Sequence, residues 1–200
     1  MRRFTHSIMA CLIGAVSQTT LAGNEEGFYV GASYGESSFD LPFDQNGESE
    51  ASSYKIFSGY NFNLIPILDL AIEGSYVDFG EFSDEFDVNT TIDNETVVMD
   101  GYLTTSTTGW DVFGIAGVSL GPVSLFGKLG MVSWKSEGKM RIPYLDNTVT
   151  NYSESGSDPA CGLGVKVQFS SLSVRAEYEA LNTEQFSKFD MLSIGVSYSF

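Results

Sequence analysis

Histidine occurs once in this chain of 200 residues, at His6, and cysteine twice, at Cys11 and Cys161. His6 and Cys11 lie in an N-terminal stretch with a basic start (Met1-Arg2-Arg3), an apolar run from Ile8 to Val16 and a small-residue end, Thr20-Leu21-Ala22. That plan is expected of a signal peptide, residues 1–22, cleaved after Ala22. The chain left behind has no histidine for a Ser-His-Asp triad, a Cys-His pair or a histidine-held metal. Cys161 is then alone, so no internal disulfide is expected. What remains is carboxylate chemistry: 26 Asp+Glu stand against 10 Lys+Arg, for a net charge of −16. Paired carboxylates can share a proton and drive hydrolysis. No such pairing is evident, so no enzyme, catalytic residue, cofactor or resident metal is expected.

The same charge excludes a nucleic-acid binder working through basic patches, which needs concentrated Lys and Arg against phosphate. With 42% hydrophobic and 14% aromatic residues the chain is too apolar for disorder. Its length suits one domain, residues 23–200. No run after residue 22 is long and apolar enough for a membrane helix. A period of two recurs instead, in segments of about ten residues, the length a tilted strand needs to cross a bilayer.

The last segment shows the pattern best: Leu192, Ile194, Val196, Tyr198 and Phe200 alternate with Ser193, Gly195, Ser197 and Ser199. Similar alternation covers residues 27–36, 53–63, 68–79, 104–119, 123–135, 160–169 and 172–181, making eight strands. Breakers place short turns near 63–67, Gly121-Pro122 and Ser170-Ser171. Longer polar stretches, 37–52, 80–103, 136–159 and 182–189, lie between them and read as loops. Short turns at one end and long loops at the other are how outer-membrane barrels are built. A soluble barrel would alternate equally well. Three features favour the membrane: a Gly/Ser-rich polar face with isolated charges, aromatics near strand ends, and a terminal Phe200.

The motifs Gly27-Phe28-Tyr29-Val30-Gly31-Ala32, Tyr54-Lys55-Ile56-Phe57-Ser58-Gly59-Tyr60, Leu125-Phe126-Gly127-Lys128-Leu129-Gly130 and Val174-Arg175-Ala176-Glu177-Tyr178 carry a family resemblance. In this order, and ahead of the closing Gly195-Val196-Ser197-Tyr198-Ser199-Phe200, the chain resembles the small OmpA-like outer-membrane β-barrels. The resemblance implies an all-β, eight-stranded antiparallel transmembrane barrel in a Gram-negative outer membrane, with short periplasmic turns and four longer extracellular loops. It also implies a C-terminal signal for the insertion machinery, carried by Tyr198 and Phe200. No counterpart of the peptidoglycan-binding domain that some such proteins carry is expected.

Parity projects Lys55, Lys128, Lys166 and Arg175 into the lumen opposite Asp69, Glu73, Asp111, Glu177 and Glu179. Unpaired charge in a narrow lumen is costly, so these groups are expected to compensate one another. The resemblance implies such a Glu–Lys/Arg plug, with Glu73, Lys128 and Arg175 at matching positions and Lys166 where an acid would be expected. Such a network either fills a closed barrel or gates a low-conductance pore for ions and very small solutes; a plugged barrel is the favoured expectation. The polar stretches hold many acids, and Asp44-Gln45-Asn46-Gly47-Glu48 and Asp87-Val88-Asn89 are fragments of a calcium loop without its full ligand spacing. Solvated loops facing lipopolysaccharide are the simpler reading. Trp110 and Trp134 are expected in the interfacial girdle, and Cys161 as an outward packing residue. The expected partners are outer-membrane lipid and lipopolysaccharide, the insertion machinery during biogenesis, and an unidentified host or surface ligand. No nucleic acid is expected, and the protein is expected to be a monomer serving envelope integrity, adhesion or partner binding.

Overall fold

Alternating apolar and small residues, rich in β-branched and aromatic types, suit a pleated surface with two unlike faces. In the computed structural model they form β1 (Gly27–Asp40), β2 (Glu48–Ile65), β3 (Leu68–Ile92), β4 (Glu95–Leu120), β5 (Val123–Ile142), β6 (Thr148–Phe169), β7 (Leu172–Leu181) and β8 (Phe189–Ser199). The structure describes residues 26–40, 48–65, 67–92, 95–142, 148–181 and 189–200, so the expected leader, residues 1–22, lies outside it.

Each strand pairs antiparallel with its neighbours in chain order, and β1 pairs with β8 from Tyr29↔Ser199 to Phe39↔Phe189, closing the barrel. Closure leaves no unpaired edge among the eight strands through their common height, the condition for a sheet to sit in hydrocarbon. Two tight turns carry left-handed backbone, Gly121 at φ 68° and Ser170 at φ 55°. Both fall at the Gly121-Pro122 and Ser170-Ser171 breakers, at the barrel's tight-turn end.

The other end departs from expectation. Much of 80–103 and 136–159, read as loop, is strand: β3 and β4 pair without interruption from Glu81↔Ser106 to Ile92↔Glu95, and β5 and β6 pair as far as Ile142↔Thr148. These stretches are polar, but they carry Thr and Val runs that favour extended backbone, as in Thr90-Thr91-Ile92 and Thr96-Val97-Val98. Polarity alone therefore does not mark the lack of a sheet. β3 leaves β2 after Tyr54↔Asp78, at a bulge between Asp78 and Glu81. Gly80 makes the bulge, with φ 94° and its N–H donated to Asp78 Oδ1 at 2.9 Å. A Cβ at Gly80 would lie 2.4 Å from the Ser52 carbonyl oxygen, so only glycine fits. Above this point β3–β6 stand as a four-stranded sheet while β7 has ended at Leu181.

The lumen is packed by rings laid over glycines. Phe57 covers Gly31 directly opposite it, and Tyr29 covers Gly59; a Cβ at either glycine would meet the ring at 2.2 and 2.4 Å. Phe113 with Gly130, Phe126 with Gly164 and Trp134 with Gly156 repeat the arrangement. Glycine inside these strands gives up side-chain packing so that a neighbouring ring can lie flat in a lumen too narrow for both.

Candidate functional site: a charged lumen beneath an apolar stopper

Inward parity gathers the ionisable residues into one chain of contacts. Asp111 lies 3.0 Å from Lys55, whose Nζ donates to Glu179 at 2.6 Å. Glu179 also receives Lys128, which donates to Glu177 at 2.6 Å. Glu177 sits 2.7 Å from Arg175 Nε, and the Arg175 fork reaches both oxygens of Glu73 at 2.6 and 3.1 Å. Tyr29 ends the series by donating its hydroxyl to Glu73 at 2.8 Å. Lys55, Glu73, Lys128 and Glu177 are at most 2% exposed. Removing one member of such a buried set strands its partner, at a cost of about 3–5 kcal/mol.

Lys166 and Asp69 lie nearer the tight-turn end, 3.8 Å apart, with Asp69 Oδ2 accepting the Ser119 hydroxyl at 2.8 Å. They line a cavity of about 40 Å³ together with Tyr29, Gln168, Arg175 and the apolar Ile115 and Phe126, room for a few waters. Five lumen acids, Asp69, Glu73, Asp111, Glu177 and Glu179, thus face four cations, Lys55, Lys128, Lys166 and Arg175.

Sequence reasoning missed the neutral residues that hold this network. Arg175 stacks on Phe57 at 3.4 Å from the ring centre, and Lys128 lies 4.8 Å from the centre of Phe113. Ser75 donates to Asp111. All share the inward parity of the charges, which was the available signal. Above the network, toward the tall end, lies an apolar stopper that includes Val77, Phe79, Val132, Trp134, Phe189 and Met191. Phe79 and Phe189 meet edge to face at 4.7 Å, and Phe79 and Met191 are 1% and 0% exposed. The lumen is therefore not lined by small and polar residues alone. Trp134, expected in the girdle, is a correction: it points inward and gives its indole N–H to Asp158 at 2.6 Å. It shares the even-numbered inward face of β5 with Lys128, and height along the strand does not reveal facing.

The outer face carries two aromatic belts. Phe28, Tyr60 and Phe62 stack edge to face near the tight turns, as do Tyr198 and Phe200. Phe200 also donates its backbone N–H to the Phe28 carbonyl at 3.0 Å. At the other border Tyr34 is paired with Tyr54, and Tyr76 with Trp110. Between the belts the exposed residues are apolar, among them Ile56, Ile72, Val112, Leu129 and Leu163. Cys161 is exposed in that band. Beyond the upper belt the outer face turns polar, with Lys135 donating to Glu137 at 2.5 Å and holding that carboxyl below the usual range. The calcium-loop fragments and most of the acids of 80–103 have side chains outside those described. Among the described residues no group of three or more metal-ligating side chains converges.

The family model described as "Outer membrane protein beta-barrel domain" matches residues 8–200. Among solved structures, that of Ail, the attachment invasion locus protein of Yersinia pestis, is similar at 19% identity and a TM-score of 0.56, over 88% of this chain and 100% of that one. The same protein in complex with the heparin analogue sucrose octasulfate gives 19% and 0.55, over the same shares of the two chains. Neisserial surface protein A (NspA) gives 17% identity and a TM-score of 0.50, over 87% of this chain and 97% of that one. No curated protein sequence matches.

Proposed function

The chain belongs to the family of outer-membrane β-barrel domains, and we propose that it is a closed scaffold displaying a tall β-sheet at the cell surface for interaction with external partners. The observation that carries this reading is the height of β3–β6. β3 continues from Tyr76 in the upper belt to Ile92, and β4 returns from Glu95 to Trp110, well beyond any need of the bilayer. An ordered sheet held clear of the membrane presents a broad, pre-organised surface, and such rigidity lowers the entropy cost of binding. The lumen, in this reading, is structural filling. Each cation of the network is paired with at least one acid, and an apolar cluster stands above it.

Ail bound a polyanionic heparin analogue in one of its structures. For the present chain a soluble polyanion is a poor match, because the net charge of −16 repels it at long range. Partners that are neutral, cationic or bridged by divalent ions fit better. We further take residues 1–22 as the cleaved export signal and Phe200 with Tyr198 as the signal read by the insertion machinery.

The test is to replace residues 83–103 by a tight turn and measure adhesion of cells carrying either form to other cells and to immobilised proteins. Adhesion should fall at least tenfold, with the barrel still folded by heat-modified gel migration. Unchanged adhesion would overturn the reading. Discrete single-channel openings of the wild type would favour the runner-up, a small pore gated by Glu73, Lys128 and Arg175.

A further inference from the structure

The ring-over-glycine packing of the lumen recurs at the open end of the barrel, on the inner face of the tall sheet. A Cβ at Gly138 of β5 would drive into the ring of Tyr152, which stands directly opposite on β6. The ring lies across β5 toward β4, and its hydroxyl is 3.2 Å from Thr105 Oγ1. Thr105 is in turn the partner of Gly138, so one row across three strands holds the ring at both ends.

The surroundings of Tyr152 differ from those of the lumen rings. Tyr152 is 42% exposed, against 2% for Phe57. β7 ends at Leu181, opposite Ala160, so above that point no described strand pairs with this side of β6. Alternate residues of a strand share a face, and the exposed Glu154 is two residues from Tyr152. Glu154 is paired with Ser136, whose hydroxyl bonds to that of Thr107 at 3.0 Å. The next acid on this face, Asp158, accepts the Trp134 indole N–H. Among the described residues no cation is on this face, because Lys135 and Lys139 occupy outward positions of β5.

We propose that Tyr152 and Glu154, on the inner face of the tall sheet, form a docking site for an arginine side chain of an external protein. The chain itself contains the model for such a contact. In the lumen Phe57 covers Gly31, Arg175 stacks on that ring 3.4 Å from its centre, and its fork pairs with Glu73. Tyr152 over Gly138 beside Glu154 repeats the ring, the glycine and the acid where an outside molecule can reach them. A planar guanidinium can stack and pair at once, whereas a compact, strongly hydrated ammonium cannot do both equally well. The net charge of −16 draws a cation toward the site, and a ring already fixed in place costs little entropy to use. This inference rests on the reading of the tall sheet as an interaction surface and names the chemistry of its partner.

The experiment uses the full mature chain refolded in uncharged polyoxyethylene micelles and a rhodamine-labelled Gly-Arg-Gly-Arg-Gly peptide, read by fluorescence anisotropy. Tyr152→Leu should weaken binding about fourfold, and Glu154→Gln about threefold. Tyr152→Phe keeps the ring and should bind within about twofold of the wild type. Glu137→Gln removes the same charge from the opposite face and should bind like the wild type. Citrulline in place of both arginines should lose about tenfold, and lysine about threefold. All variants should keep the wild-type unfolding midpoint; Glu154→Gln and the citrulline peptide leave the ring in place should Tyr152→Leu fail to fold.

The proposal is overturned if Tyr152→Leu folds and binds like the wild type. It is equally overturned if Glu137→Gln weakens binding as much as Glu154→Gln, or if the lysine peptide binds as tightly, since either would assign binding to the general field of the acids. Displacement of the peptide by lactose, dependent on Tyr152, would assign the ring to a sugar and overturn it too. Adhesion that needs residues 83–103, beside peptide binding indifferent to Tyr152, would sink this site alone. Peptide binding that needs Tyr152 and Glu154, beside adhesion indifferent to 83–103, would support the site and sink the adhesion reading.

Discussion

The guanidinium of Arg175 lies flat over the Phe57 ring, 3.4 Å from its centre, while its fork holds Glu73. Stacking and bidentate pairing both need a planar cation, so Arg175→Lys is not conservative here. Arg175→Lys should cost about 1–3 kcal/mol, and Arg175→Ala, which strands Glu73 and leaves Glu177 with Lys128 alone, about 3–5 kcal/mol. Urea unfolding in detergent micelles or vesicles measures both. An Arg175→Lys variant as stable as the wild type would mean that the planar contacts, the ring among them, contribute nothing.

The stopper and the network predict different sites for any barrier to ions. With Phe79, Phe189 and Met191 in place, Glu73→Ala and Arg175→Ala should leave planar bilayers electrically silent. Phe79→Ser combined with Phe189→Ser should admit water and give discrete openings. Openings in Glu73→Ala alone would place the gate in the ion pairs instead.

Glycine beneath an aromatic ring is a packing requirement. Gly31→Val would drive into Phe57 and into the Val196 carbonyl oxygen, both within 2.5 Å of a Cβ at that position. The expected cost is about 1–3 kcal/mol or more, because overpacking cannot be relieved against backbone. Gly114, where a Cβ would find its nearest neighbour at 3.8 Å, should accept Ala with a change within about 0.5 kcal/mol. Unfolding midpoints of the pair test the contrast.

At the rim, Gly80→Val should disturb the bulge through both its positive φ and the contact with the Ser52 carbonyl. Proteolysis of the β3–β4 hairpin should quicken several-fold while the barrel core stays resistant. Equal protection in the variant would show that the bulge does not anchor the tall sheet.

Phe200 closes the lower belt through Tyr198 and the Phe28 carbonyl. Deleting it should reduce the assembled fraction in cells more than it lowers equilibrium stability in micelles, since one largely exposed ring buries little area. Equal losses in both measurements would make the residue a packing element and not an insertion signal.

By itself the sequence determined the eight strands at membrane height and the facing of their charged residues. A period of two gives every residue a side, so the shared face of Lys55, Glu73, Lys128, Arg175 and Glu177 was legible, as were the turns at Gly121 and Ser170. Parity does not say which cation meets which acid. Those pairings depend on the stagger of all eight strands around the closed barrel, which brings Lys55 of β2 onto Glu179 of β7 across the lumen. Nor could the pattern reveal the stopper, because Phe79, Trp134 and Met191 sit at inward positions that alternate with apolar outward ones no more clearly than serines do. A side chain is apolar toward lipid or toward a dry lumen for the same reason, and only closure decides which. The height of β3–β6 was hidden for the converse reason: above the membrane the strands turn polar, and polarity alone does not separate a sheet from a loop. Tertiary pairing, not hydropathy, supplies the order there.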